Sequence, residues 1–187
     1  MICMCFLSFG TLLFSQGQGD RGLLLGFNAS SFTGSEILNE KSAYLPGMCI
    51  GFFQEFNLGP GLAIGPEISF TSKGSRIQTV GDLYLHQVVT YLEVPVLLSW
   101  ILNPGQKCRG FLSAGPSFGL MLLAFNEVGF PEDIERFDMG VELGAGVRWQ
   151  KLRLRFHINQ GFLDLDKSDS SGSIRNRTLS FTLALSF

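Results

Sequence analysis

Charge is what this chain has least of. Charged residues make up 16% of its 187 positions, against roughly a quarter in an ordinary soluble domain. No dense Lys/Arg block appears, basic and aromatic residues do not interleave, and the net charge is −2. Nucleic acid is therefore excluded as a partner. Long apolar runs are also missing: after the first stretch none reaches the roughly 18 residues that a membrane helix needs. Of four cysteines, Cys3 and Cys5 lie in the first stretch, leaving Cys49 and Cys108. Two thiols make neither a disulfide framework nor a zinc site. His86 and His157 are far apart in the chain and suggest no metal pair. No metal and no cofactor is expected.

What is abundant is glycine, 23 residues, and phenylalanine, 18 residues. That much glycine argues against a helical bundle, and that much apolar side chain argues against disorder. The segment Met1 to Phe14 is apolar and is followed by Ser15-Gln16-Gly17-Gln18-Gly19. Residues 1–19 read as a secretory signal without its usual basic start, since no Lys or Arg precedes Arg21. Residues 20–187 then form one domain.

Period-two alternation dominates that domain. Leu179, Phe181, Leu183, Leu185 and Phe187 share one face of the last segment, while Thr178, Ser180, Thr182, Ala184 and Ser186 share the other. Leu152, Leu154, Phe156 and Ile158 alternate with Lys151, Arg153, Arg155, His157 and Asn159. Met139, Val141, Leu143, Ala145, Val147 and Trp149 alternate with Asp138, Gly140, Glu142, Gly144, Gly146 and Arg148. Five further strand patterns run over about 109–122, 85–101, 61–73, 46–57 and 21–31. They are longer than the common globular strand of about five or six residues and suit tilted strands crossing a bilayer.

The connections alternate too. Short ones fall at Asn57-Leu58-Gly59-Pro60, at Asn103-Pro104-Gly105-Gln106 and near Gln150; long polar ones fall at about 32–45, 74–84, 123–135 and 164–176. Short periplasmic turns, long external loops and an even strand count are the pattern of outer-membrane barrels. The expected fold is all-β: an eight-stranded antiparallel up-and-down transmembrane barrel in the bacterial outer membrane.

Alternation does not say which face points inward. A soluble lipocalin-like barrel would put the apolar face inside, around a lipid. The polar face here consists of Gly, Ser, Thr and Ala with isolated charges, whereas a soluble exterior is rich in Lys and Glu. The apolar face is therefore expected to meet outer-membrane lipid. Phe27, Phe56, Trp100, Phe111, Trp149 and Phe187 are expected to form its interfacial girdles.

Three segments resemble a known family. They are Gly65-Pro66-Glu67-Ile68-Ser69-Phe70-Thr71-Ser72-Lys73-Gly74, Tyr91-Leu92-Glu93-Val94-Pro95-Val96-Leu97-Leu98 and Ala114-Gly115-Pro116-Ser117-Phe118-Gly119. In order and spacing they resemble the PorT-like outer-membrane β-barrel domain common in Bacteroidota; Gly26-Phe27-Asn28-Ala29-Ser30-Ser31-Phe32 is also similar. The resemblance implies an eight-stranded barrel inserted by the barrel-assembly machinery, which reads a terminal aromatic such as Phe187. It implies no shared activity. Pro46, Pro66, Pro95 and Pro116 fall inside strand patterns, where each removes a ladder donor; the resemblance implies tolerated bulges.

Acids on the polar face lie mainly on the second to fourth strands (Glu55, Glu67, Glu93), and bases on the sixth to eighth (Arg148, Lys151, Arg153, Arg155, Arg177). These strands face each other across an eight-stranded barrel whose interior is just wide enough for side chains to fill. The expected site is a lumenal charge network in which Glu67 and Glu93 meet Arg153 and Arg155, with Glu142 contributing. Such a lumen is plugged; a gated channel for small solutes is the alternative.

Other motifs carry less. Gly115-Pro116-Ser117-Phe118-Gly119 has the serine-hydrolase spacing but no helix after it to present the serine. Asp164-Leu165-Asp166-Lys167-Ser168-Asp169 begins like a calcium loop, yet lacks the required glycine at Asp169 and the glutamate at Arg175. Gly59-Pro60-Gly61 is a turn rather than a phosphate loop. The reading is a non-enzymatic barrel whose specific work, if any, lies in external loops: adhesion, docking of a protein partner, or support of assembly and secretion.

Overall fold

A computed structural model describes residues 19–34, 42–79, 83–126, 136–163 and 174–187. The leader expected at residues 1–19 therefore falls, except for Gly19, outside the described residues. So do most of the acidic external segments and the start of the calcium-like sequence.

Nine strands follow one another: β1 (Arg21–Gly34), β2 (Ser42–Gln54), β3 (Phe56–Gly59), β4 (Leu62–Thr79), β5 (Leu83–Ile101), β6 (Cys108–Asn126), β7 (Phe137–Trp149), β8 (Leu152–Gly161) and β9 (Ile174–Ser186). β2 and β3 are two pieces of one barrel strand, broken at Glu55. Both pair with β4 in one register, Phe53 opposite Glu67 and Phe56 opposite Ile64. Each remaining strand is antiparallel to its sequence neighbour, and β1 closes on β9 from Gly22↔Ser186 to Gly34↔Ile174. The result is a closed eight-stranded barrel, which leaves no sheet edge to satisfy in lipid.

The break at Glu55 depends on a glycine. A Cβ at Gly65 would lie 2.0 Å from the Gln54 carbonyl oxygen, so only glycine lets β4 pass beneath the interruption. The Glu55 N–H donates instead to the Asp20 carbonyl at 2.7 Å.

The alternation resolves as expected. Leu23, Leu25, Phe27, Ile50, Ile68, Phe70, Leu98, Leu143, Phe156, Phe181 and Leu183 all face outward and are exposed. Ser30, Ser69, Thr71, Ser113, Ser117, Thr178, Ser180 and Thr182 are buried on the inner face. A soluble barrel would invert that distribution, so the lipocalin-like alternative is set aside.

Two girdle assignments are corrected. Phe27 lies mid-strand, opposite Phe181, which in turn faces Phe156. These three rings form one lateral row across β8, β9 and β1. Phe111 points inward and is 1% exposed. Its register partner is Gly146, where a Cβ would come within 2.7 Å of the ring. The missing side chain there makes room for the phenylalanine. Trp100, Trp149 and Phe187 remain outward and exposed at the short-turn end.

The strands also run further than the alternation does. β4 and β5 stay paired to Thr79↔Leu83, through most of the loop expected at 74–84. The ladder continues there although the sequence stops alternating. Pro46 sits where the β2–β4 register shifts, between Tyr44 and Cys49. The β4–β5 and β5–β6 ladders each skip two pairs at Pro66, Pro95 and Pro116, between Pro66↔Val96 and Ser69↔Glu93 and between Pro95↔Ser117 and Leu98↔Ala114. The missing donors thus fall at local gaps in the pairing.

Candidate functional site

The lumen is filled by ionisable side chains in three tiers. Alternation on β7 and β8 aims Glu142, Arg148, Arg153, Arg155 and His157 inward, and the opposite wall supplies Glu55, Glu67, Lys73 and Glu93.

The tier nearest the short turns centres on Glu55, which shares the inward parity of Cys49 and Phe53. Arg148 grips it with both arms, at 2.6 and 2.7 Å, and Arg153 adds a third bond at 2.9 Å. The Arg153 guanidinium lies 4.5 Å from the Phe53 ring centroid, and Arg148 lies 4.9 Å from that of Phe111. The two rings shield the cluster and add cation–π attraction. Phe53 has its own glycine opposite, Gly22.

In the middle tier Arg155 of β8 crosses the lumen to Glu67 of β4 in a bidentate pair at 2.8 and 2.6 Å. The same guanidinium lies 3.5 Å from Glu142 Oε1, and His157 Nε2 lies 3.9 Å from that oxygen. A paired fork of this geometry is the strongest form of guanidinium–carboxylate contact. The upper tier pairs Lys73 with Glu93, with the Lys73 ammonium 5.2 Å from the centroid of the Tyr91 ring. Asp138 is buried on the same inner face.

The structure therefore brings Glu67, Arg155 and Glu142 together. It does not bring Arg153 to Glu67 or Glu93, nor Glu93 to an arginine. Arg153 is two residues nearer the short turns than Arg155, which puts it level with Glu55. Glu93 is taken by Lys73 on the adjacent strand. Stagger between strands sets these levels, and opposition counted strand by strand does not contain it. Lys73 went unassigned in the sequence, although it shares the parity of Glu67, Ser69 and Thr71. Phe187, the expected assembly signal, is outward-facing, and its N–H donates to the Arg21 carbonyl at 3.0 Å.

Between the middle and upper tiers lies a cavity of about 20 Å³, bounded by Glu67, Glu93, Glu142, Arg155 and His157. It accommodates little more than a water molecule. Ser117 is buried within β6, and its hydroxyl donates to Asn159 Oδ1 at 3.1 Å. No exposed strand-to-helix turn presents it. Among the described residues no His/Cys/Asp/Glu group has a metal-binding arrangement.

A closed antiparallel barrel with an apolar exterior and an ion-paired interior defines a transmembrane barrel of the outer-membrane type. Residues 14–167 match the family model of the outer membrane protein beta-barrel domain. The chain belongs to that family and is a protein of the bacterial outer membrane. No curated protein sequence matches it.

Solved structures similar in fold include the outer membrane protein OprG of Pseudomonas aeruginosa. That match has 9% identity and a TM-score of 0.59, covering 91% of this chain and 95% of that one. Neisserial surface protein A matches with 10% identity and a TM-score of 0.52, covering 89% and 97%. Ail, the attachment invasion locus protein of Yersinia pestis, solved with the heparin analogue sucrose octasulfate, has 15% identity and a TM-score of 0.50, covering 90% and 99%. At these identities the likeness is one of fold.

Proposed function

We propose that the chain is a non-enzymatic outer-membrane barrel whose lumen is a structural plug and whose specific work is done by its external loops. That work is adhesion, docking of a protein partner, or support of assembly and secretion. One observation carries the reading: the Glu67–Arg155 clasp spans the lumen from wall to wall, with a charge tier on either side of it. A solute would have to part every tier and separate buried charges from their partners. Ser117, the serine with hydrolase-like spacing, is buried within β6 and hydrogen-bonded to Asn159, so that motif offers no nucleophile.

Purified protein in planar bilayers is expected to give no steady large conductance steps. Reproducible steps from the wild-type barrel would favour the gated channel instead.

The PorT-like kinship within Bacteroidota rests on the segments at 65–74, 91–98 and 114–119. In this reading residues 1–19 direct export and the barrel-assembly machinery recognises Phe187. Phe187→Ala is expected to lower the folded fraction recovered from outer membranes. Unheated and heated samples on a gel measure this, because folded barrels run faster unheated; an unchanged folded fraction would count against the signal role.

A further inference from the structure

Charge is distributed unevenly along the barrel axis. Arg21, Lys107, Arg109, Arg148, Lys151 and Arg153 gather at the short-turn end, which is periplasmic in outer-membrane barrels. Among the described residues only Asp20 and Glu55 oppose them there. Three of the arginines stand side by side: Arg109 is the register partner of Arg148, and Arg148 is the register partner of Arg153. Like charges in directly opposite positions destabilise a sheet unless something neutralises them.

Glu55 neutralises two of the three. Both its oxygens are occupied by Arg148 and Arg153, and Asp20 lies 3.9 Å from Arg148. Arg109 has no carboxylate partner among the described residues. Its Nε is buried without a hydrogen-bond partner, as are those of Arg148, Arg153 and Arg155, but of the four only Arg109 also lacks a carboxylate on its fork. Its side chain is only half-buried at the lumen mouth. An uncompensated guanidinium beside a second guanidinium, open to one compartment and flanked by exposed lysines, lacks an anion. A planar fork prefers an oxyanion it can hold through two parallel bonds, while lysines act as surrounding point charges.

We propose that the short-turn mouth is a phosphate-binding site. Arg109 supplies the fork, and Lys107 and Lys151 supply the surrounding positive field. A phosphate carries between one and two negative charges near neutral pH, which suits Arg109 with its flanking lysines. The phosphate comes either from a free ion in the periplasm or from the headgroup of an anionic phospholipid in the adjacent leaflet.

The test titrates inorganic phosphate into the full-length refolded barrel by calorimetry at low ionic strength, with sodium chloride of equal ionic strength as the control. Saturable heat is expected from the wild type. Arg109→Gln is expected to weaken binding roughly tenfold or more, the loss of a charge-assisted pair of bonds. Arg109→Lys should retain part of it, and an unheated gel verifies that each variant is folded. Arg177→Gln, at the opposite end, should bind as the wild type does.

Repeating the titration in nanodiscs separates the two sources. Binding retained in discs of phosphatidylcholine with phosphatidylglycerol assigns the site to the free ion. Binding lost there but present in phosphatidylcholine alone assigns it to the lipid headgroup. Absence of saturable heat from the wild type, or equal binding by a folded Arg109→Gln variant, overturns the proposal.

Discussion

Arg155→Ala is expected to destabilise the barrel by about 3–5 kcal/mol, the cost of stripping one partner from a buried ion pair. Arg155 is the counter-charge to Glu67 in a bidentate pair and lies 3.5 Å from Glu142. Both carboxylates are buried, at 6% and 4% exposure. Among the described residues no second Lys or Arg lies within ion-pair reach of either; only the His157 imidazole stands near, 3.9 Å from Glu142. Removing the guanidinium leaves two acids in one narrow lumen. The larger part of the loss is their stranded desolvation rather than the missing attraction.

A second comparison separates those contributions. Replacing the set together, as Arg155→Met, Glu67→Leu and Glu142→Leu, removes the stranded charges along with the attraction. Apolar replacement of a whole buried charge set is often neutral or stabilising, so the triple variant is expected to recover most of the stability. Equilibrium urea unfolding in lipid vesicles gives both numbers. An Arg155→Ala midpoint equal to that of the wild type would show that the clasp contributes nothing to the fold.

Phe181→Arg should cost about 2–4 kcal/mol, the range for a cation on the lipid face near the bilayer midplane. Phe181 is outward, 51% exposed, and sits in the row formed with Phe27 and Phe156. The same substitution at Leu185 lies nearer the short-turn end, opposite Leu152 and Leu23, and is expected to cost only about 0–1 kcal/mol. The two sites share a strand, a face and a chemistry. Only depth distinguishes them, so equal penalties at both would argue against lipid on that face. The gradient needs no knowledge of what the loops bind.

The inward phenylalanines show where sequence patterning gave out. Phe53 shares its parity with Cys49 and Glu55, and Phe111 with Ser113 and Ser117, so alternation already placed both inside. Proximity to a strand end suggested a girdle for Phe111. The signal that could have decided it was the glycine across the ladder, Gly146 for Phe111 and Gly22 for Phe53. An aromatic packed over a facing glycine restores the volume the glycine lacks. Reading that signal requires the register, which one strand alone does not supply.

The charge network divides in the same way. Parity put Glu67, Glu93, Glu142, Arg153 and Arg155 on one face, and burial of that face required them to find partners. Which partner each found depended on height along the barrel. Arg153 went to Glu55 and Glu93 went to Lys73, because tilt and stagger offset each strand from the next. The strand break at Glu55 left no mark in the alternation, which carries that carboxylate inward regardless.

The sequence by itself determined the strand count, the three short turns, the lipid-facing register and the membrane that holds the barrel. Each is carried by local periodicity and composition, and successive side chains on a strand must point to opposite sides. Tertiary structure alone decided the ion-pair partners, the inward aromatics and the placing of Arg109 with no carboxylate partner among the described residues. Those depend on distances across the lumen and between strands, which appear only once closure of the barrel fixes its tilt and stagger.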